Sequence, residues 1–201
     1  MQRRPYGPRA WLVDDVDDPP AWAAALAAID TPGVIEIVPA ERTVVVHCTS
    51  ERHEAVGAVL DLVEPAPSER DPRQSPLTID VVYGGGDIAD LAHAARLSVD
   101  DVIRLHVTGT YEVAFCGFSP GFAYLRGIHP RLHVPRRDSP RMSVPAGAVG
   151  VAAGYTCVYP SASPGGWHLI GHTSAALWDV RRESPALLTP GRAVRFRSVA
   201  E

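Results

Sequence analysis

The chain has 201 residues, of which 46% are hydrophobic and 21% charged, and it carries a formal net charge of -4. This composition is that of a globular protein with one good core or two small ones, and the net acidity argues against nucleic-acid binding. No window approaches the roughly 18 consecutive apolar residues of a membrane span, and the first residues lack the apolar core of a signal peptide. We therefore expect a cytoplasmic protein that does not bind a membrane.

The numbers of lysine and cysteine residues limit the kinds of site that the chain can contain. All 19 basic residues are arginine, so there is no lysine for a phosphate-binding loop, a pyridoxal Schiff base or a biotin attachment. The three cysteines are far apart and form no CxxC pair, which argues against a disulfide framework and a zinc ribbon. Any ATP chemistry must therefore use other residues or another subunit.

The first part of the chain has the pattern of a small α+β unit. Ser50 is a candidate N-cap for a helix whose apolar residues recur at helical spacing up to Val63. The predicted elements, in order, are an edge strand at residues 10–13, a helix at 20–29, a hairpin of strands 34–38 and 43–48, and that helix.

Residues 64–76 contain four prolines and no apolar periodicity, as an exposed connection between domains would. We predict two domains, residues 1–76 and 77–201. The second is expected to begin with a strand at residues 77–83 and a helix at 88–96. Ser98 and Asp101 then form the pattern of a capping box for a further helix.

Residues 118–173 are dense in proline and glycine, which indicates short strands and shaped loops. This stretch also inverts the charge of the chain, because five arginines fall within residues 126–141 and Asp138 is the only acid between Val113 and Trp178. Arginine suits carboxylate and phosphate groups. Two interpretations stay open: an anion site, or a solvated rim whose arginines pair with acids from elsewhere in the chain.

Other motifs give weaker signals. The glycines at 84–86 are typical of either a strand-to-helix turn or a phosphate-binding loop without its lysine. Two histidine pairs have the i, i+4 spacing of metal ligands, but no third ligand is evident, so we predict no metal site. His168 is a candidate for acid–base chemistry or for a structural role. Aromatic residues in the same stretch could line a pocket or pack in the core; they are Phe122, Tyr124, Tyr155, Tyr159 and Trp167.

Several long motifs resemble one family. They include "VVYGGG", "GFSPGFAYLRG", "LHVPRRDSPRMSVPAGAVGV", "YPSASPGGWHLIGHT" and "LLTPGRAVRF". In this order they resemble the B-type subunit of the bacterial ATP-dependent 5-oxoprolinase, a family also labelled allophanate hydrolase subunit one and KipI-type kinase inhibitor. The resemblance implies an α+β N-terminal domain followed by a mainly-β cyclophilin-like barrel domain.

The resemblance also implies a function. Such a subunit is expected to be inactive alone and to form a hetero-oligomer with a second (C type) subunit that helps to activate the lactam of 5-oxo-L-proline. A third (A type) subunit completes hydrolysis to L-glutamate, and ATP with magnesium is shared with or held by the partner. The alternatives are a KipI-type inhibitor of a sensor histidine kinase, and a subunit of an allophanate hydrolase or urea-carboxylase-type carboxyltransferase.

Within the central stretch we predict Arg141 and His168 as catalytic residues, because turns or apolar residues fix the chain on both sides of each. Arg136 and Arg137 are adjacent, so in extended backbone at most one can face a given ligand. The predicted substrate-binding residues are Arg137, Tyr124, Gly121, Gly147, Gly165, Gly166 and Trp167.

The sequence departs from the family pattern in two places. Residues 153–157 read Ala-Gly-Tyr-Thr-Cys where the family usually has Gly-Gly-Gln-Thr-Gly, and Arg192 replaces a usual aspartate. Tyr155 and Cys157 are expected to enlarge a loop that is normally slim and polar.

Overall fold

A computed structural model describes residues 1–65 and 75–200. The chain divides into two compact units, Met1–Gln74 and Ser75–Glu201. The predicted connection at residues 64–76 lies largely outside the described residues, so the exact boundary stays a prediction.

The first unit is a four-stranded antiparallel sheet with two helices. Its elements are β1 (Gln2–Pro5), β2 (Ala10–Asp14), α1 (Pro19–Ala28), β3 (Val34–Pro39), β4 (Val44–Cys48) and α2 (His53–Leu60). The strands lie in the order β1-β2-β4-β3. The prediction of an edge strand at residues 10–13 is wrong, because β2 pairs with β1 on one side and with β4 on the other.

Local chemistry accounts for the start of α1. The Asp18 side chain accepts a hydrogen bond from the Ala21 N–H at 3.4 Å, and two prolines occupy the first turn, where their missing N–H groups cost nothing. Trp22 and Leu26 of this helix are buried in the core of the unit. Ser50 does not cap α2 as predicted: it begins a short 3₁₀ turn, and α2 starts after Arg52 without a side-chain cap.

The second unit contains a closed barrel and two helices. Its elements are β5 (Leu77–Tyr83), α3 (Ile88–Ala95), α4 (Val99–Thr108), β6 (Tyr111–Cys116), β7 (Ala123–Arg126), β8 (Arg141–Val144), β9 (Ala148–Ala152), β10 (Tyr155–Val158), β11 (Ser163–Gly165), β12 (His168–His172) and β13 (Ala193–Ser198). The barrel strands lie in the order β10-β7-β6-β13-β5-β12-β9. β13 runs parallel to β5, and the other pairs of neighbouring barrel strands are antiparallel.

Two helices pack against the barrel. The predicted start of α4 at Ser98 is confirmed, since the Ser98 hydroxyl accepts from the Asp101 N–H at 3.1 Å. The Asp101 carboxylate accepts in turn from the Ser98 hydroxyl at 2.8 Å. Arg96 ends α3 in a left-handed conformation. The barrel core is filled mainly by valine, leucine and isoleucine.

A polar chain crosses this apolar core. The Thr156 hydroxyl donates to the Gly150 carbonyl at 3.0 Å and accepts from His106 Nε2 at 2.9 Å. His106 Nδ1 then accepts from the Tyr83 hydroxyl at 2.7 Å. Complete burial lowers the pKa of His106 to about 3, so the imidazole is neutral and its tautomer is fixed by these partners.

β8 and β11 form a separate two-stranded sheet, in which Ser163 lies opposite Val144 and Gly165 lies opposite Arg141. This ribbon carries much of the proline- and glycine-rich stretch. The predicted fold class is confirmed: a small α+β unit is followed by a mainly-β cyclophilin-like barrel. No helix in the described residues is long and apolar enough to cross a membrane.

The turn before α3 gives a first test of the packing. A Cβ atom added at Gly85 would lie 2.5 Å from the Leu169 carbonyl oxygen and 2.6 Å from the Gly171 nitrogen, whereas one at Gly86 would meet nothing within 4 Å. We expect Gly85→Ala to lower the free energy of unfolding by about 1–3 kcal/mol because rigid backbone must move. Gly86→Ala, the matched control, should change it by less than about 0.5 kcal/mol. Equilibrium urea unfolding followed by circular dichroism measures both, and equal effects of the two would contradict this packing.

Candidate functional site

A buried carboxylate organises the region that the sequence singles out. Asp87 lies in the turn between β5 and α3, and its side chain is 2% exposed. Its Oδ1 accepts hydrogen bonds from Arg137 Nη1 at 2.6 Å and from Arg141 Nη2 at 2.5 Å, and its Oδ2 accepts from the Leu169 N–H at 2.8 Å. Three separate segments of the barrel unit therefore meet on one carboxylate.

The electrostatics of Asp87 follow from these partners. Burial by itself would raise the pKa of this carboxyl group. The hydrogen bonds from Arg141 and Leu169, together with the charges of Arg141 and Arg137, outweigh burial and hold the pKa below its ordinary value. Asp87 is therefore ionised at neutral pH.

Some nitrogen atoms of this cluster keep unused hydrogen-bonding capacity. Arg141 Nη1 and Arg137 Nε are buried and have no hydrogen-bond partner among the described residues. His168 Nε2 lies 3.1 Å from the Pro135 carbonyl oxygen. Because a carbonyl can only accept, Nε2 carries a hydrogen, and the buried Nδ1 has no partner in the described chain.

Beside this cluster lies a small cavity with aromatic walls. Its volume is about 90 Å³. Tyr124 and Trp167 contact each other with ring centroids 5.7 Å apart. The lining residues are Phe118, Tyr124, Arg136, Tyr159, Pro164, Gly165, Gly166 and Trp167.

Backbone contacts join the cavity to the Asp87 cluster. The Arg137 N–H donates to the Gly166 carbonyl at 2.8 Å, and Arg141 lies opposite Gly165 in the β8–β11 pair. A Cβ at Gly165 would overlap the Tyr159 hydroxyl, so this wall of the cavity must be bare backbone.

Arg136 and Phe118 line the cavity but are not among the predicted site residues. The guanidinium carbon of Arg136 lies 6.0 Å from the centroid of the Trp167 ring. Burial raises the pKa of the Tyr159 phenol, and the nearby charge of Arg136 acts in the opposite direction. Phe118 has a φ of 71°, a left-handed conformation that is strained for a bulky residue, and the residue is 63% exposed.

The structure thus separates the predicted site residues into groups. Tyr124, Gly165, Gly166 and Trp167 line the cavity. Arg137 and Arg141 bind Asp87, and His168 binds the Pro135 carbonyl. Their functional roles stay predictions.

Gly121 and Gly147 lie elsewhere, at turns that backbone packing requires. A Cβ at Gly121 would lie 2.9 Å from Trp178 Cβ, and one at Gly147 would overlap the Thr173 carbonyl oxygen. Both have positive φ. Packing therefore explains both glycines, and neither of them lines the cavity.

The remaining arginines show how much of the positive charge of residues 126–141 is neutralised by acids. Arg126 Nη2 binds Glu112 Oε1 at 2.6 Å, and Arg131 donates to the Arg96 carbonyl at 3.0 Å. Arg136 forms no ion pair with a carboxylate in the described part of the chain. The interpretation of arginines paired with acids from elsewhere in the chain is therefore confirmed for Arg126, Arg137 and Arg141, while an anion site stays a prediction.

Sequence reasoning missed Asp87. The only signal was its position after the glycines at 84–86 and before a helix. Those glycines form the strand-to-helix turn, because the Asp87 N–H donates to the Leu169 carbonyl at 3.0 Å and Gly85 packs against β12.

Two further features delimit the site. Tyr155 packs edge-on against Phe115 and Tyr124, behind the cavity wall, and Cys157 is completely buried. No group of three His, Cys, Asp or Glu residues in the described ranges could hold a metal ion. A larger cavity of about 370 Å³ lies in the first unit, but aspartates line it and it has neither arginine nor histidine.

The pKa of Asp87 yields a stability prediction. Because this pKa is depressed in the folded state, the carboxylate stabilises the fold above the ordinary aspartate pKa near 3.9, and this contribution is lost as pH falls through the folded value. We expect Asp87→Asn to lower the free energy of unfolding by about 3 kcal/mol at pH 7. That figure is at the low end for a broken buried pair, because the arginine side chains remain 29% and 30% exposed.

Urea unfolding at pH 7 and pH 3 measures this effect. The difference between wild type and Asp87→Asn should shrink at the lower pH. Asp90→Asn is the matched control, since Asp90 is 69% exposed and lies 3.5 Å from Arg137, and it should cost less than about 1 kcal/mol. A pH-independent deficit in Asp87→Asn would contradict the electrostatic account.

Comparison with known proteins places this geometry in a family. The carboxyltransferase domain family, subdomain C and D, matches residues 1–188. The chain is 42% identical over 180 residues to the B-type 5-oxoprolinase subunit of Escherichia coli O157:H7, and the match covers 87% of this chain and 83% of that protein.

Solved structures show the same fold. The crystal structure of TTHA0988 matches with a TM-score of 0.83 and 33% identity over 96% of this chain, which spans only 40% of that protein. The urea carboxylase of Kluyveromyces lactis matches with a TM-score of 0.72 over 98% of this chain and 22% of that one, at 18% identity, so it is alike in fold alone. The resemblance found in the sequence is confirmed, and the chain belongs to the carboxyltransferase subdomain C and D family that includes the bacterial B-type 5-oxoprolinase subunits.

Proposed function

We propose that this chain is a non-autonomous subunit of a cytoplasmic ATP-dependent 5-oxoprolinase that converts 5-oxo-L-proline to L-glutamate. The observation that carries the proposal is the small aromatic cavity beside the Asp87 cluster, in a chain 42% identical to a B-type 5-oxoprolinase subunit. A five-membered lactam is a small ring with one polar edge. Aromatic walls and bare backbone at Gly165 and Gly166 suit such a ring.

The chemistry requires stabilisation of charge on the amide oxygen. Opening the lactam with ATP places negative charge on that oxygen and on the transferred phosphoryl group. Arg141 is suited to the oxygen, since its guanidinium is fixed by Asp87 and its buried Nη1 still lacks a partner among the described residues. His168 Nδ1 is suited to accept a proton, because its other ring nitrogen is already engaged.

We place the binding of ATP and magnesium on the partner subunit, or on a site shared with it. The chain has no lysine to contact phosphates, and the cavity of about 90 Å³ is too small for a nucleotide. On this proposal the chain holds and polarises the lactam. A second, C type subunit joins it in a hetero-oligomer, and a third, A type subunit completes ring opening.

A second candidate is a carboxyltransferase-type subunit like those of urea carboxylase. The observation in its favour is the fold, which matches urea carboxylase over 98% of this chain. Biotin would have to be attached to another polypeptide, since this chain has no lysine. A biotin carrier encoded beside this chain would favour this candidate, and genes for the other oxoprolinase subunits would favour the first.

The division of labour gives a direct test. We expect the purified chain alone to show no turnover of 5-oxo-L-proline, because it lacks a phosphate-binding lysine and a phosphate loop. Co-expressed with its neighbouring subunits, it should support ATP hydrolysis that depends on 5-oxo-L-proline and releases L-glutamate. ADP and glutamate are measured together. Steady-state turnover by the chain alone would refute its dependence on partners, and biotin-dependent carboxyl transfer by the complex would favour the second candidate.

The catalytic roles are tested by substitution within the complex. We expect Arg141→Ala and His168→Ala each to lower turnover by roughly 100-fold or more, the usual scale for loss of a preorganised charge or proton-transfer group. Subunit assembly should persist, since Arg137 and the Leu169 N–H continue to satisfy Asp87.

Matched controls are available on exposed strand positions. Arg195 lies on β13 and His172 on β12, and both are exposed. Arg195→Ala and His172→Ala should leave turnover within about 3-fold of wild type. Turnover and complex mass are measured on every variant. Near-normal rates in Arg141→Ala and His168→Ala would make those residues structural, and loss of assembly would make them interface residues.

A further inference from the structure

We propose that Arg136 is the carboxylate-binding residue of a slot whose aromatic walls are Phe118 and Trp167, and that this slot takes small cyclic carboxylic acids. The inference rests on the proposed function, for which it names the group that holds the substrate class. It also replaces Arg137, the arginine that the sequence favoured.

The distribution of charge identifies Arg136. Within residues 126–141, Arg126 pairs with Glu112, while Arg137 and Arg141 share Asp87. Arg131 is held by a backbone carbonyl. In the part of the chain that the structure describes, Arg136 has no acid partner, and its guanidinium instead lies over the Trp167 ring. Its positive charge therefore remains available to an anionic ligand.

The backbone conformation of Phe118 indicates that its ring is needed as a wall of the slot. Positive φ strains the backbone of a bulky residue, and such residues cluster at binding sites. Phe118 keeps a φ of 71° although the residue is 63% exposed and its ring packs only edge-on against Phe122, with centroids 5.2 Å apart. A glycine there would avoid the strain. Packing within the chain therefore does not explain a phenyl group at this position. A role as a wall of the cavity does explain it.

The size and floor of the slot limit the ligand. The cavity of about 90 Å³ admits a small ring. At Gly165 the Tyr159 hydroxyl excludes any side chain, so the ligand meets backbone there. A cation on one side and flat aromatic faces on the others suit a compact ring that carries a carboxylate. Arg137 cannot supply the same contact, because Asp87 engages it.

The test uses the complex co-expressed with its neighbouring subunits, with 5-oxo-L-proline and its decarboxylated analogue 2-pyrrolidinone as probes. We expect Arg136→Gln to weaken binding of 5-oxo-L-proline by roughly 10- to 100-fold, the scale for loss of a charge-assisted hydrogen bond. KM should rise in parallel, while kcat changes by less than about 3-fold. Binding of 2-pyrrolidinone, which has no carboxylate, should not change. Arg136→Lys should restore part of the affinity, since it keeps the charge but not the planar fork.

Two further variants separate binding from folding. Arg195→Gln removes the same charge from an exposed position on β13 and should change neither constant. Phe118→Gly should weaken binding of 5-oxo-L-proline by at least about 5-fold. Its thermal unfolding midpoint should not fall, because glycine relieves the positive φ. A destabilised Phe118→Gly variant with wild-type affinity would refute the role assigned to its ring.

The possible outcomes test the slot and the proposed function separately. If the complex hydrolyses 5-oxo-L-proline and Arg136→Gln leaves KM unchanged, the slot is wrong and the proposed function stands. If the complex does not hydrolyse it, but L-proline or cyclopentanecarboxylate binds with the dependence on Arg136 given above, the slot stands and the proposed function fails. If isothermal titration shows no binding of any of these acids to the wild-type complex at millimolar concentration, the slot is refuted.

Discussion

The buried carboxylate of Asp87 is the interaction on which the geometry of the candidate site depends. It ties the turn after β5 to the segment at residues 137–141 and to the start of β12. In the segment at residues 137–141 only Arg141 belongs to a strand, so without a common partner the side chains of this segment could adopt many positions. An ionised group that is 2% exposed must be satisfied by charge and hydrogen bonds, and here the two guanidinium groups and one N–H provide them. The cost of burying Asp87 is thus offset by the contacts that fix the loops.

This constraint also decides which arginine faces the cavity. Arg137 is held twice, through its N–H on the Gly166 carbonyl and through its side chain on Asp87. Successive side chains in extended backbone point to opposite sides, so fixing Arg137 on Asp87 directs Arg136 away from it, over Trp167. The cluster contains the guanidinium groups of Arg137 and Arg141 and the buried carboxylate of Asp87, with the exposed Asp90 carboxylate 3.5 Å from Arg137. These charges balance, whereas Arg136 has no acid partner in the described chain, so the uncompensated positive charge lies at the cavity.

The sequence predicted the parts of this arrangement that depend on local patterns. Apolar alternation placed β5 at Leu77–Tyr83, and the Ser98 capping box placed the start of α4. It missed β1, because Gln2–Pro5 is exposed along its whole length and shows no apolar alternation. The site was harder to predict, since Asp87 lies 50 residues from Arg137 and 82 from Leu169 along the chain. Contacts between residues so far apart cannot be read from local sequence patterns. The rule that Arg136 and Arg137 face opposite sides was available from the sequence, but the choice between them required Asp87.

The cavity and the cluster together constrain how the proposed reaction could be divided between subunits. His168 Nε2 lies 3.1 Å from the Pro135 carbonyl oxygen, which leaves Nδ1 for proton exchange, and Arg141 Nη1 has no partner among the described contacts. On the proposed function, these fixed groups act on one small molecule, and the triphosphate is held by other residues. Phe118 lines the cavity and is exposed, and on the same proposal this open side faces the partner that holds ATP. If ATP activates the lactam, its phosphates must reach the amide oxygen across this open side, and the residues that hold them then belong to the surface that covers it.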